Sequence, residues 1–179
     1  RVIESLKAWY PNLMGAEDAT LLTPSFYETE VALDGDAHGS DARPGYALLF
    51  EHDATPVGFF VMDHELDDNG LLGRMSVIDP AWRGRGLGRA FIRAQVAVAR
   101  AMGVRSTYGF VELDNHAQCK ALEHEGFVLS SLLPDSDRKR VPGVGTRYVP
   151  EALYIHSLVA PEDLLWPPAE ALQPRTAAL

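Results

Sequence analysis

Cysteine is nearly missing: Cys119 is the only one in 179 residues. That scarcity excludes a disulfide framework and a thiolate metal cluster. No apolar run approaches the ~20 residues that a membrane-spanning helix requires, and no signal-peptide pattern opens the chain. A surplus of basic residues is missing too. The net charge of −9 argues against wholesale nucleic-acid binding, which normally shows as a basic domain. These absences point to a cytoplasmic enzyme or binding domain with no metal, membrane or nucleic-acid partner. The chain begins at Arg1, directly within a helical pattern, so a leading element is expected to be missing.

What is present suits one folded domain. The apolar share, 46%, is ordinary for a globular protein and 179 residues can bury a proper core. The expected division is a single domain over residues 1–160 and a proline-punctuated tail over 161–179. In that tail Leu164, Leu165 and Trp166 are expected to pack on the body or on a second subunit, so a homodimer is one expectation. The charge is unevenly spread. Residues 74–105 hold seven arginines against one acid, Asp79, a local +6 that leaves −15 for the remainder. A basic island in an acidic chain suits one compact polyanion.

Apolar spacing predicts a helix over residues 2–15, with Val2, Leu6, Trp9 and Tyr10 on one side and Pro11 interrupting it. A second helix is expected over 16–34 and a polar loop over 35–45. Three strands follow at 46–51, 57–64 and 71–79, the last two joined by a turn at Asn69-Gly70. They should form an antiparallel meander. The run after Arg89 shows Leu87, Phe91, Ala94, Val98 and Met102 at helical spacing, and Gly103 ends it. A strand at 104–111 then has to run parallel to the third, because a helix crosses between them. Asn115 caps a further helix to about Glu125. Strands are expected at 127–132 and 152–159, with a loop over 133–150 that carries Arg138, Lys139 and Arg140.

The stretch Val77-Ile78-Asp79-Pro80-Ala81-Trp82-Arg83-Gly84-Arg85-Gly86-Leu87-Gly88-Arg89 takes a strand into a glycine-rich turn and then a helix. Main-chain N–H groups and the positive end of a helix dipole meet there, which suits a phosphate. A Walker loop is excluded, since no lysine followed by a hydroxyl residue stands in place. A dinucleotide fingerprint is excluded because its third glycine falls on Arg89. Arg83-x-x-Gly86-x-Gly88 after that strand end closely resembles the acetyl-CoA turn of the GNAT N-acetyltransferase superfamily. The family's second signature is an asparagine with Gly-Phe following, the glycine eleven residues on. Here Asn115 leads to Gly126 and Phe127. The resemblance covers about residues 46–132.

The resemblance implies a mixed α/β (α+β) domain: a twisted, mostly antiparallel sheet with one splayed parallel pair and helices on both faces. It implies acetyl-CoA as co-substrate. By the same resemblance the backbone of Ser76, Val77 and Ile78 bonds the pantetheine and thioester, with an oxyanion donor near Val77. The amides of Arg83, Gly84, Arg85, Gly86, Leu87, Gly88 and Arg89 hold the pyrophosphate. Asn115 touches the pantetheine arm, and Lys120 is a weaker contact.

Where many family members carry an acidic tyrosine seven residues after the asparagine, this chain has Leu122. A CoA thiolate, with a thiol-like pKa of about 8 to 9, leaves without strong assistance. Tyr108 and Tyr154, both expected on strands, are substitute acids, and Glu112 at the end of the fourth strand is the candidate base. Asp63, His64 and Glu65 read either as substrate-facing groups or as a solvated hairpin. His116 and His124 lie about 12 Å apart along one helix, too far to share a metal. Cys119 reads as a small core residue. Arg138, Lys139 and Arg140 read as a solvated loop, or as contacts to the 3′-phosphate or an acidic substrate.

The first functional expectation is therefore an acetyl-CoA-dependent N-acetyltransferase that acts on a primary amine of a small molecule by direct aminolysis. The acidic remainder favours a cationic acceptor. Leu122 motivates a second expectation, an acyl-CoA-binding domain without turnover. A third is an acetyltransferase of protein N-termini or lysines, since Leu122, Glu123 and Gly126-Phe127 also resemble the ribosomal-protein-modifying branch.

Overall fold

A computed structural model describes residues 2–9, 23–29, 45–65, 69–141, 143–165 and 167–168. The elements are α1 (Val2–Trp9), α2 (Pro24–Thr29), β1 (Gly45–His52), β2 (Thr55–Glu65), β3 (Gly70–Ile78), α3 (Leu87–Met102), β4 (Ser106–Glu112), α4 (His116–His124), β5 (Val128–Val141) and β6 (Gly145–Ser157). A short 3-10 turn at Pro80–Trp82 separates β3 from α3. The six strands form one sheet in the order β1-β2-β3-β4-β6-β5. Among the described residues only β3 and β4 pair in parallel, as a crossover through α3 requires.

Strand β2 shows why the sheet is covered twice. Val57 and the run Phe59–Met62 are almost wholly buried, and alternate residues leave for opposite faces. Phe59 and Val61 join Leu6, Phe26, Met75 and Val77 beneath α1 and α2. Phe60 and Met62 join Leu71, Phe91, Ala99 and Val104 beneath α3. A third cluster, with Ile92, Val96, Val111, Leu122, Phe127, Ala152 and Tyr154, seats α3 and α4 on β4 and β6. No helix among the described residues is long and apolar enough to cross a membrane.

Three expectations need correction. Thr23 is not helical, so no unbroken helix covers 16–34; Pro24 disfavours the helical conformation at the residue before it and opens α2 instead. The buried side of α3 is Phe91, Ile92, Gln95, Val96 and Ala99 rather than the stripe through Ala94 and Val98. The 133–150 region is a long β5–β6 hairpin, apart from its turn, not a loop. Its prolines misled the reading. Pro134 sits on the edge strand β5, and Pro150 on β6 lies just beyond Glu151, where pairing with β4 ends. Residues 10–22, 30–44 and 169–179 fall outside the described residues, with most of the expected 35–45 loop and the end of the tail.

Candidate active site

The site begins where two strands part. β3 and β4 pair from Gly70↔Ser106 to Gly73↔Gly109 and no further. β3 nevertheless runs on to Ile78 and β4 to Glu112, held by β2 and β6 on their outer sides. The partition falls at a bulge: β2 Val61 opposes Met75 and Met62 opposes Gly73, which leaves Arg74 as the extra residue on β3. A bulge bends its strand and raises the local twist, so β3 turns from β4 at that point.

The open edge of β3 has a readable polarity. Asp79 donates its N–H to the Val57 carbonyl at 3.0 Å. Antiparallel pairs alternate between bonded and non-bonded, so the Phe59↔Val77 pair spends the main-chain groups of Val77 on β2. Those of Ser76 and Ile78 consequently face the gap. The Ile78 carbonyl accepts from Arg83 Nε at 3.4 Å there, and the Ser76 hydroxyl donates to Gln118 Oε1 at 3.4 Å. Gln118 on α4 was not anticipated. Its position three residues after the capping Asn115 is the signal that places it in the first turn.

At the mouth of the gap stands the head of α3. Asp79 caps the preceding turn, its carboxylate accepting from Ala81 N–H at 2.8 Å. Gly84 and Gly86 then adopt φ of 73° and 85°, and Gly86 is the N-cap of α3 without any side-chain cap. Both glycines border open space where a Cβ would stand. The first helical bond at this end runs from Ala90 N–H to the Gly86 carbonyl, 3.1 Å. The amides of Leu87, Gly88 and Arg89 precede it, bundled at the positive end of a 16-residue helix. An uncapped helix head beside an unpaired strand edge fits the pyrophosphate and pantetheine of coenzyme A. On the other side of the gap Asn115 caps α4 by accepting from Gln118 N–H at 3.3 Å, and Lys120 is exposed on the same helix.

Three of the seven arginines in the island, Arg74, Arg89 and Arg93, are paired with carboxylates. Arg89 and Arg93 donate from Nε to the two oxygens of Glu125, at 2.8 and 2.9 Å, and Arg89 also meets His124 Nδ1 at 2.9 Å. These hydrogen bonds, Arg93 first and Arg89 second, hold the Glu125 carboxyl below the usual carboxylate range. Arg74 pairs with Asp63 at 3.1 Å and lies over the Phe26 ring. Arg85 covers the Trp82 ring at 4.7 Å, and His52 packs against that ring. The formal +6 of the window therefore overstates the charge left at the turn.

The structure divides the catalytic candidates between the faces of the sheet. Glu112 ends β4 directly opposite Glu151, which accepts from Ser136 Oγ at 2.6 Å. Tyr108 shares that face two and four residues earlier than Phe110 and Glu112; its ring meets Phe110 edge-on and leans over Gly70, toward the paired end of β3. Tyr154 is opposite Gly109 and belongs to the α3–α4 core, where its hydroxyl donates to Glu123 Oε1 at 2.9 Å. Burial first, and then the bond to Glu123, push that hydroxyl well above the ordinary tyrosine range. Leu122 is 2% exposed in the same core, so its position offers no proton. Cys119 is half-buried and packs against that cluster.

Below the parting point a polar lock holds α3 to both strands. Gln95 Nε2 donates to Thr107 Oγ1 at 2.7 Å and to the Tyr108 carbonyl at 3.0 Å, and Thr107 Oγ1 donates to the Leu71 carbonyl at 2.8 Å. A Cβ at Gly73 would come within 2.7 Å of Gln95. Sequence reading missed Gln95 because a glutamine within a helix normally faces water.

The chain belongs to the acetyltransferase (GNAT) family, whose model matches residues 6–127. Acetyl-CoA is the co-substrate of that family. Among solved structures, a putative phosphinothricin N-acetyltransferase is similar over 89% of both chains at 18% identity, with a TM-score of 0.60. The ribosomal-protein-S18-alanine N-acetyltransferase of Escherichia coli is 17% identical over 72% of this chain and 77% of its own, with a TM-score of 0.56. A putative acetyltransferase from Salmonella typhimurium, solved with its cofactor acetyl-CoA, is 20% identical over 63% of this chain, with a TM-score of 0.55. The chain spans 64% of that last protein's length. None of the curated proteins matches this chain by sequence. The strand order, the single parallel pair and the helices on both faces agree with the expected fold.

Proposed function

We propose that this chain is an acetyl-CoA-dependent N-acetyltransferase that acts on a primary amine of a small molecule by direct aminolysis. The observation that carries the reading is the end of the β3–β4 ladder at Gly73↔Gly109, with the uncapped head of α3 at its mouth. The amides of Leu87, Gly88 and Arg89, together with those of the turn from Arg83 to Gly86, hold the pyrophosphate. Ser76 and Ile78 offer main-chain groups to the pantetheine as a neighbouring strand would, and Asn115 and Lys120 approach it from α4. When bound, acetyl-CoA supplies an activated acyl thioester.

Glu112 takes the proton that the amine has to lose before it can attack. The carboxylates of Glu112 and Glu151, opposite each other on adjacent strands, draw a cationic acceptor to that face. Tyr108 and Tyr154 are the candidate donors to the departing sulfur. Tyr154 has to release its bond to Glu123 before it can donate, and its raised pKa makes it the weaker acid. Loss of kcat with unchanged KM for acetyl-CoA, in Tyr108→Phe or in Tyr154→Phe, identifies the donor.

Isothermal titration with acetyl-CoA tests the cofactor half, and thiol release across a panel of amines tests turnover. Absence of binding at high micromolar acetyl-CoA defeats the whole reading. Binding without thiol release from any amine leaves a binding domain rather than an enzyme.

A further inference from the structure

Strand β5 is an edge of the sheet, and of the devices that normally guard an edge its first six residues carry only a bulge, at Ser130. Val128-Leu129-Ser130-Ser131-Leu132-Leu133 contains no charge and no proline. Val128 is 69% exposed, Leu129 49% and Leu132 58%. The guards begin immediately afterwards, with Pro134, Asp135 and Asp137 and then Arg138, Lys139 and Arg140. An apolar edge of this length, with neither charge nor proline, offers itself to another strand.

We infer that this edge pairs with the same edge of a second copy, antiparallel about a two-fold axis between Ser130 and Ser131. The segment reads alike in both directions: two apolar residues, two serines, two apolar residues. Pairing about that axis sets Val128 against Leu133 and Leu129 against Leu132 of the other copy.

Strand geometry supplies the decisive match. In a regular strand, residues three apart face opposite ways, and such a pairing would set Leu129 against a residue of the wrong face. A bulge at Ser130 removes the conflict. Leu129 pairs with Tyr154 on β6, whereas Ser131 pairs with Leu153 and Leu132 with Ala152. Tyr154 and Ala152 lie in one core cluster on one face, so Leu129 and Leu132 share that face too. Val128 and Leu133, opposite Ile155 and Glu151, share the other. The bulge makes the edge self-complementary, which is what an isologous interface demands.

Charge names the occupant as well. In antiparallel pairing, the outer half of β5 has to run past the first residue of the other copy's β5. The carboxyl end of α4 stands there, with exposed Glu123 and the negative end of the helix dipole. Arg138, Lys139 and Arg140 lie on that outer half. Arg89 and Arg93 already hold Glu125 at that helix end, and Asp135 and Asp137 precede the basic run, so the attraction that two chains of net −9 gain there is that of Arg138 for Glu123.

Sedimentation velocity on the full chain at micromolar concentration is expected to show a dimer. Leu129→Lys and Leu132→Lys are each expected to shift it to the monomer position while isothermal titration still detects acetyl-CoA. Ser131→Cys places a thiol within disulfide reach of its copy across the axis, so mild oxidation is expected to give a covalent dimer that the parent, with Cys119 alone, does not. Arg138→Glu is expected to weaken the dimer. A monomer at every concentration overturns the inference, including the case in which some other protein covers this edge. A dimer that persists in both lysine variants, or a Ser131→Cys chain that stays uncrosslinked, overturns it equally.

Discussion

Gly86 holds φ at 85° where the chain enters α3, and no side chain caps the amides that follow. Any residue with a Cβ strains that conformation, so Gly86→Ala is expected to cost about 1–2 kcal/mol. A denaturant titration checks the stability, and weaker acetyl-CoA binding in the same variant checks the role of the turn. Glu112 offers a different separation. Its replacement by Gln keeps the shape of the β4 end and removes the base. The expected result is a fall in kcat of about a hundredfold with little change in KM for acetyl-CoA, measured by thiol release. An unchanged kcat assigns the proton to another group. The glycines of the turn were legible in the sequence because their spacing is a local requirement of the backbone. The division of Tyr108 and Tyr154 between faces was not legible, because a strand's facing depends on what covers each side.

Besides the apolar cluster that α3 and α4 share, an ionic contact joins them. Glu125, just past the end of α4, receives Arg89 and Arg93 from successive turns of α3. Its carboxyl is held below the ordinary value of 4.5, so the folded state binds this proton less readily than the unfolded chain does. The stabilisation is therefore complete above about pH 4.5, the unfolded value, and fades as pH falls through the lower folded value. Denaturant midpoints at neutral pH and near pH 3 should converge in Glu125→Gln relative to the parent; an equal acid loss in both removes Glu125 from that role. In the sequence the arginine count agrees with the phosphate site that the glycine turn suggests. Its partner, Glu125, stands 32 residues beyond Arg93, and a local charge tally does not register a partner at that distance.

The whole molecule is a −9 chain asked to hold a polyanion, and three of the seven arginines of residues 74–105 are already paired with carboxylates. Hydrogen bonds from main-chain amides act at contact distance, well inside the Debye length, so salt weakens them less than the attraction of exposed cations farther away. Acetyl-CoA affinity is thus expected to change by less than about threefold between low salt and about 0.3 M, read by titration. A steep decline with salt restores the arginines to the leading part. At this scale the helix–strand order from β1 to α4 was legible from periodicity and punctuation: glycine turns, the Asn115 cap and the α3 crossover that makes β3 and β4 parallel. Those features act over a few residues, and each constrains its own backbone directly. The β5–β6 hairpin, the buried side of α3, the bulge at Arg74 and the pairing of Arg89 and Arg93 with Glu125 depended on neighbours remote in the chain. Strand pairing and ion pairs satisfy their hydrogen bonds across such distances, so the gap between β3 and β4 became visible only when the sheet was assembled.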